Sequence, residues 1–323
     1  MIAECEGEHE KRGCCCWVFP AYEFRSEVKP CAFRHLVPET ADEAVSMLDE
    51  YGDEAKVLAG GQSLVPMMNM RLARPTVLVD INNLTSLGGI GERNGRVTVG
   101  ALVRQRSLEL DKSISRRLPV LPAAAEWMSH PQIRNRGTVV GSIVHADPAA
   151  ELPAAALALE AEIIAKSTRG ERALPALDFY LGYYATQLEP DELATEVRFP
   201  VMGENMGWGV YEVCRRRGDF ALAGMVAVVR LDAAQRIDDV RMATYGFGGS
   251  AVRLREVEAE LIGQPVSSEL IEHAGRKTMD SVMADDDIHA SASYRRSLAG
   301  EVTRRSLAAA FETAAGAKGF QHT

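Results

Sequence analysis

Two short glycine-bearing segments, Ala59-Gly60-Gly61-Gln62-Ser63-Leu64 and Arg136-Gly137-Thr138-Val139-Val140-Gly141-Ser142, constrain this chain more than any other feature. Each follows or contains strand-type residues and then presents bare backbone beside small hydroxyl or amide side chains. Such a stretch lets backbone N–H groups approach a phosphate closely. Neither segment has the Gly-x-Gly-x-x-Gly spacing of a Rossmann turn, with an acidic residue about 20 positions on, and neither ends in the Gly-Lys-Ser/Thr of a P-loop. What remains is anion capture by loop amides, supplemented by the hydroxyls of Ser63, Thr138 and Ser142. Two tight turns beside strands would use the same residues.

Length and charge narrow the field. With 323 residues there is room for two ordinary domains, and 46% hydrophobic with 25% charged residues is the composition of a soluble globular chain. A net charge of −9 without a basic stripe argues against nucleic-acid binding. The longest apolar runs, 152–159 and 221–229, fall short of the roughly 20 residues that cross a bilayer, so no transmembrane segment is expected. Residues 1–27 stand apart, with Cys5, Cys14, Cys15 and Cys16 and neither helix nor strand period. Adjacent cysteines diverge, whereas metal sites use Cys-x-x-Cys spacing, so this segment reads as a disordered or untranslated extension. Beyond it only Cys31 and Cys214 remain, which excludes a disulfide framework and points to the cytoplasm. His130, His145, His273 and His289 are scattered and lack helical zinc spacing, so no metal is expected; Asp285-Asp286-Asp287 reads as a solvated loop. No Ser/His/Asp or Cys/His set has a supporting motif, and no catalytic side chain is assigned.

Periodicity gives a mixed α and β order. Thr40-Ala41-Asp42-Glu43 is a capping box opening a helix with Ala44, Val45, Met47 and Leu48 inward. Strands are expected at 55–58, 76–81 and 96–99, with Asn94-Gly95 as a hairpin turn before the last. Helices follow at 121–128 and 153–159, with a strand at 161–165 between them and the second part. Residues 187–200 read as the transition between domains, giving a boundary near 201. Strands at 210–213, 222–231 and 240–246 and helices at 253–261, 268–283 and 291–314 complete the chain.

Six motifs in order resemble the FAD-binding flavoprotein (medium) subunit of the aerobic carbon monoxide dehydrogenase and xanthine dehydrogenase family of molybdenum hydroxylases. They are 59–66 with 70–75 and Asp80-Ile81; 135–142 with His145 to Pro153; Tyr183-Tyr184 with 188–192; Arg216 to Ala221; Asp287 to Ser291; and Tyr294-Arg295-Arg296. The resemblance runs from about 28 to 315 and implies an α+β fold. Residues 28–200 would form a two-part FAD-binding domain of the type shared with vanillyl-alcohol-oxidase-like flavoproteins. A smaller C-terminal domain of sheet plus helices, 201–315, and a tail, 316–323, would follow.

The resemblance also implies roles. Ala59, Gly60, Gly61, Gln62 and Ser63 with Thr138, Val139, Val140, Gly141 and Ser142 would wrap the pyrophosphate and ribityl chain. Glu151 would accept from an FAD hydroxyl, Met128 and Leu188 would pack on the adenine or flavin periphery, and Glu212 and Phe220 would lie at the flavin, with Arg215, Arg216 and Arg217 solvated or facing a partner. Val140 stands where the family usually has glycine, so its side chain is expected to crowd the phosphate unless it turns into the sheet. The implied partners are a molybdopterin-binding large subunit and a [2Fe–2S] small subunit, assembled as a dimer of heterotrimers. Electrons would pass from the clusters through FAD to an external acceptor. A self-contained FAD oxidase or reductase, and a scaffold that has lost FAD, are the alternatives.

Overall fold

The computed structural model describes residues 29–203 and 205–316; the expectations for the first 27 residues and for the tail from 317 lie outside the described residues. A small parallel sheet opens the fold, with Val77–Asp80 in the middle, flanked by Arg34–Leu36 and Ala55–Leu58. Parallel strands need a crossover, and helix Ala41–Tyr51 supplies one, packing Ala44, Val45 and Leu48 against Val77, Val79 and Ile81. The helix starts as the capping box requires in one half only. The Thr40 hydroxyl accepts from the Glu43 amide at 3.1 Å, whereas the Glu43 carboxylate reaches the Glu39 amide at 2.7 Å.

The second sheet is antiparallel, in the order Ile90–Arg93, Arg96–Gly100, Leu193–Pro200, Glu162–Ser167, Gly170–Pro175. Asn94 and Gly95 turn the first hairpin at φ of +52° and +71°, the left-handed pair that such a turn demands. Its middle strand corrects the reading of 187–200 as a transition. Leu193–Pro200 pairs on both sides, burying Leu193, Val197 and Phe199. Glu196 and Arg198, which pair with each other at 2.6 Å, give it the look of a polar connection.

The third sheet, Met206–Cys214, Ala221–Leu231, Ile237–Tyr245 and Val252–Arg253, is antiparallel throughout. One face carries Val226, Val228, Ala243 and Tyr245 into the main core of the preceding residues. The other packs Ala223, Met225, Ala227 and Val229 against the buried faces of helices Ser268–Ser281 and Ala292–Ala314. A strand covered on both faces is apolar without alternation, which accounts for the run from Ala221 to Val229. Helix Glu151–Ala158, buried at every position, packs against this sheet. The α+β class and the smaller sheet-plus-helices unit at the C-terminus are as expected. No helix among the described residues is long and apolar enough to cross a membrane.

Candidate functional site

The two glycine segments meet backbone to backbone. A Cβ on Gly60 would fall 2.5 Å from the Arg136 carbonyl oxygen and 2.7 Å from the Gly137 Cα. Gly61, at φ +70°, then turns the chain into helix Leu64–Asn69. Behind the second segment runs Val103 to Gln105, which donates the Gln105 amide to the Gly137 carbonyl and accepts the Val139 amide on Val103, both at 2.9 Å. Thr138 caps helix Val139–His145, its hydroxyl accepting from the Gly141 amide at 3.1 Å.

These contacts divide the residues expected to hold a dinucleotide. Ala59 to Ser63 and Thr138, Gly141 and Ser142 sit on the two segments that meet; the Gln62 amide turns back on the Gly60 carbonyl at 3.1 Å, and Ser63 stands exposed with no side-chain cap bond. Val139 is a correction: its side chain is in the main core and its N–H belongs to Val103, so neither is left for a phosphate. Val140 also packs in the core, and the crowding expected of its side chain does not arise. Met128 is corrected likewise, buried in the core rather than presented on a surface, while Leu188 is half-buried against that core.

Helix Val139–His145, about 10 Å long at 1.5 Å per residue, leads from this junction to Asp147 and Pro148 at an open cleft of about 880 Å³. Phe220 lines the cleft and is 72% exposed. Its loop, whose three arginines were expected to be solvated or partner-facing, keeps them exposed, sets Arg215 and Arg216 at the cleft lining and turns at Gly218, φ +88°, against His130. The aspartate run is the exposed loop expected, and it also bonds to other residues of the cleft. Asp285 accepts from the Tyr183 hydroxyl, and Asp287 accepts the amides of His289 and Ala290 and an Arg295 bond at 2.7 Å. Arg295, 5% exposed, donates onward to the Leu222 and Gly246 carbonyls and so fastens the cleft floor. Tyr183 and Arg295 lie in motifs that the sequence offers, but their work depends on partners far along the chain.

Below the cleft, sheet register sets Glu212, Gly224 and Tyr245 side by side on three strands. The Tyr245 ring lies over Gly224, and its hydroxyl donates to Glu212 Oε2 at 3.1 Å. Glu212 is 2% exposed, so the expectation of a carboxylate open to a flavin is corrected. Burial pushes it from 4.5 to about 7. Glu151, at the start of helix Glu151–Ala158, is raised well above the carboxylate range by burial first and by Glu212 second. Two neighbouring buried carboxyls cannot both ionise cheaply.

That pair has a pH signature. The folded chain keeps protons that the unfolded chain releases between about 4.5 and about 7, so this contribution to stability is complete below 4.5 and is lost as pH rises through 7. The thermal midpoint of flavin-free protein is expected to fall between about pH 5 and about pH 8, by the equivalent of a few kcal/mol. Glu212→Gln should flatten that decline. Identical slopes for the two proteins would remove Glu212 as its source. A lysine at 212 would bury an ammonium and report on folding alone.

Comparison with known proteins follows the same division of the chain. Residues 31–202 match the family model for the FAD binding domain in molybdopterin dehydrogenase, and residues 210–310 that for the CO dehydrogenase flavoprotein C-terminal domain. The 6-hydroxypseudooxynicotine dehydrogenase complex subunit alpha of Paenarthrobacter nicotinovorans is 39% identical over 89% of this chain and 97% of its own length. For the carbon monoxide dehydrogenase medium chain of Hydrogenophaga pseudoflava the identity is 35%, covering 87% and 98%. The solved quinoline 2-oxidoreductase of Pseudomonas putida 86 matches with a TM-score of 0.83 at 32% identity, covering 88% of this chain and 99% of that one.

Proposed function

The chain belongs to the FAD-binding flavoprotein subunits of the molybdenum hydroxylase family, and from that premise we propose that it holds one non-covalent FAD between its glycine segments and the cleft beside them. The observation that carries the reading is the junction at Gly60, where a Cβ would fill the space against Arg136 and Gly137 and where bare backbone is therefore required. The residues present fit the group. Backbone amides of Gly60 to Ser63 and of Val140 would face the pyrophosphate, with Ser63 and Ser142 adding hydroxyls, while the Gly141 and Ser142 amides are held by Thr138. Glu151, whose charged form burial disfavours, would accept from a hydroxyl of the FAD. Phe220, exposed at the cleft, would shield one face of the ring system from solvent.

When bound, FAD would supply the electron transfer between the [2Fe–2S] clusters of a small partner subunit and an external acceptor. The chain's part is binding, orientation and exclusion of water, with residues 28–200 as the FAD-binding portion and 201–315 completing the cleft. A molybdopterin-binding large subunit completes the complex, a dimer of heterotrimers in the cytoplasm. The names of the relatives as a complex subunit and a medium chain support this assembly. Acid precipitation of the purified protein is expected to release an equimolar amount of FAD into the supernatant. Flavin retained in the pellet, or folded protein that takes up none when supplied with FAD, would overturn the proposal.

A further inference from the structure

Among the described residues no backbone–backbone hydrogen bond joins the two glycine segments, although they are in van der Waals contact. Their polar link is made by two side chains. Asn82, just past strand Val77–Asp80, donates from Nδ2 to the Ala59 carbonyl at 2.8 Å and to Asp80 Oδ1 at 2.7 Å. Its Oδ1 accepts from Arg104 at 2.8 Å, and a second Arg104 nitrogen donates to the Arg136 carbonyl at 2.6 Å. The amide orientation is settled by its surroundings, since a flip would set nitrogen against guanidinium and oxygen against carbonyl and carboxylate. Asp80 anchors the far end: burial opposes its charge, but bonds from Asn82 and His35 hold it below the usual carboxylate range.

We propose that Asn82 and Arg104 are positioning residues that clasp the two glycine segments at the spacing a pyrophosphate requires. The Arg136 carbonyl that accepts from Arg104 is the same atom against which Gly60 packs. The guanidinium thereby satisfies a peptide oxygen at the contact and ties it, through Asn82, to the peptide of Ala59. This inference rests on the FAD reading of the site. Burial and the nearby charge of Arg136 also weigh against the Arg104 cation, a cost that an anion bound between the segments relieves.

The test uses the full chain, freed of flavin and titrated with FAD. Asn82→Ala and Arg104→Ala are each expected to weaken FAD binding by about 10- to 100-fold, the loss of one or two hydrogen bonds to charged or buried groups. Because the two residues form one chain of bonds, the double variant should lose little more than either single variant. Arg104→Lys, able to reach one acceptor but not to bridge both, should recover part of the affinity. The visible spectrum of bound flavin should stay that of the parent, since the clasp lies away from Phe220 and the cleft. Affinity within twofold of the parent in Asn82→Ala, or fully additive losses in the double variant, would overturn the clasp while leaving the FAD reading intact. Failure of the parent to bind FAD would instead remove that reading. Should Arg104→Ala not fold, Asn82→Ala decides alone.

Discussion

Gly60→Val is expected to strip FAD from the protein while leaving the C-terminal unit folded. The added Cβ would meet the Arg136 carbonyl at 2.5 Å, the Gly137 Cα at 2.7 Å and the Thr138 nitrogen at 3.0 Å. All three are backbone atoms, so no side chain can swing aside; one segment has to move off the other. Overpacking of this kind costs about 1–3 kcal/mol, which if expressed wholly in binding is a loss of roughly 5- to 150-fold in affinity. Gly61 differs, since its φ of +70° makes any side chain strained there by conformation more than by contact. Gly91, in the same half of the chain, is the control: a Cβ there would meet nothing within 4 Å, so Gly91→Ala should bind FAD as the parent does. Calorimetric titration measures both. Parent-like affinity in Gly60→Val would place the dinucleotide elsewhere.

The largest effect on stability is expected from Gly209→Val. Strand Met206–Cys214 presents Gly207 and Gly209 to helix Ala292–Ala314, and the helix lies directly on the bare backbone. A Cβ at 209 would fall 2.0 Å from the Ser306 carbonyl oxygen, and one at 207 would fall 2.0 Å from that of Ala310. Relief requires the helix to lift, which would uncover Val302, Leu307 and Phe311 and break the Ser306 hydroxyl bond to the Met225 carbonyl. The cost is about 3 kcal/mol or more, a drop of roughly 5 °C in thermal midpoint for a protein of this size. A midpoint close to the parent's would mean that the helix has room to retreat.

The same two glycines show how a local reading falls short. Residues 206–209 carry Met, Gly, Trp and Gly, and β-propensity marks the strand only from 210. The glycines are there for the helix that packs on them, which begins more than eighty residues later. Leu193–Pro200 escapes the same reading for a related reason, because its charged pair faces outward and its place between two other strands is not written in its own pattern.

What the sequence determined by itself was set by forces acting within a few residues: the Thr40 cap, the Asn94-Gly95 turn, the inward face of the helix that Thr40 opens and two stretches of bare backbone suited to an anion. The ordered motifs added the family and hence FAD. Only the tertiary structure decided that the two stretches touch, that Val139 and Val140 turn into the core, that Asn82 and Arg104 bridge the contact, and that Glu151 meets Glu212 under Tyr245. Each of these pairs residues from distant parts of the chain. Burial is non-directional and rewards any apolar partner, so no window of sequence names which partner is met. That choice is made when strands pair in register and the sheets close over one core, fixing every polar group's neighbours at once.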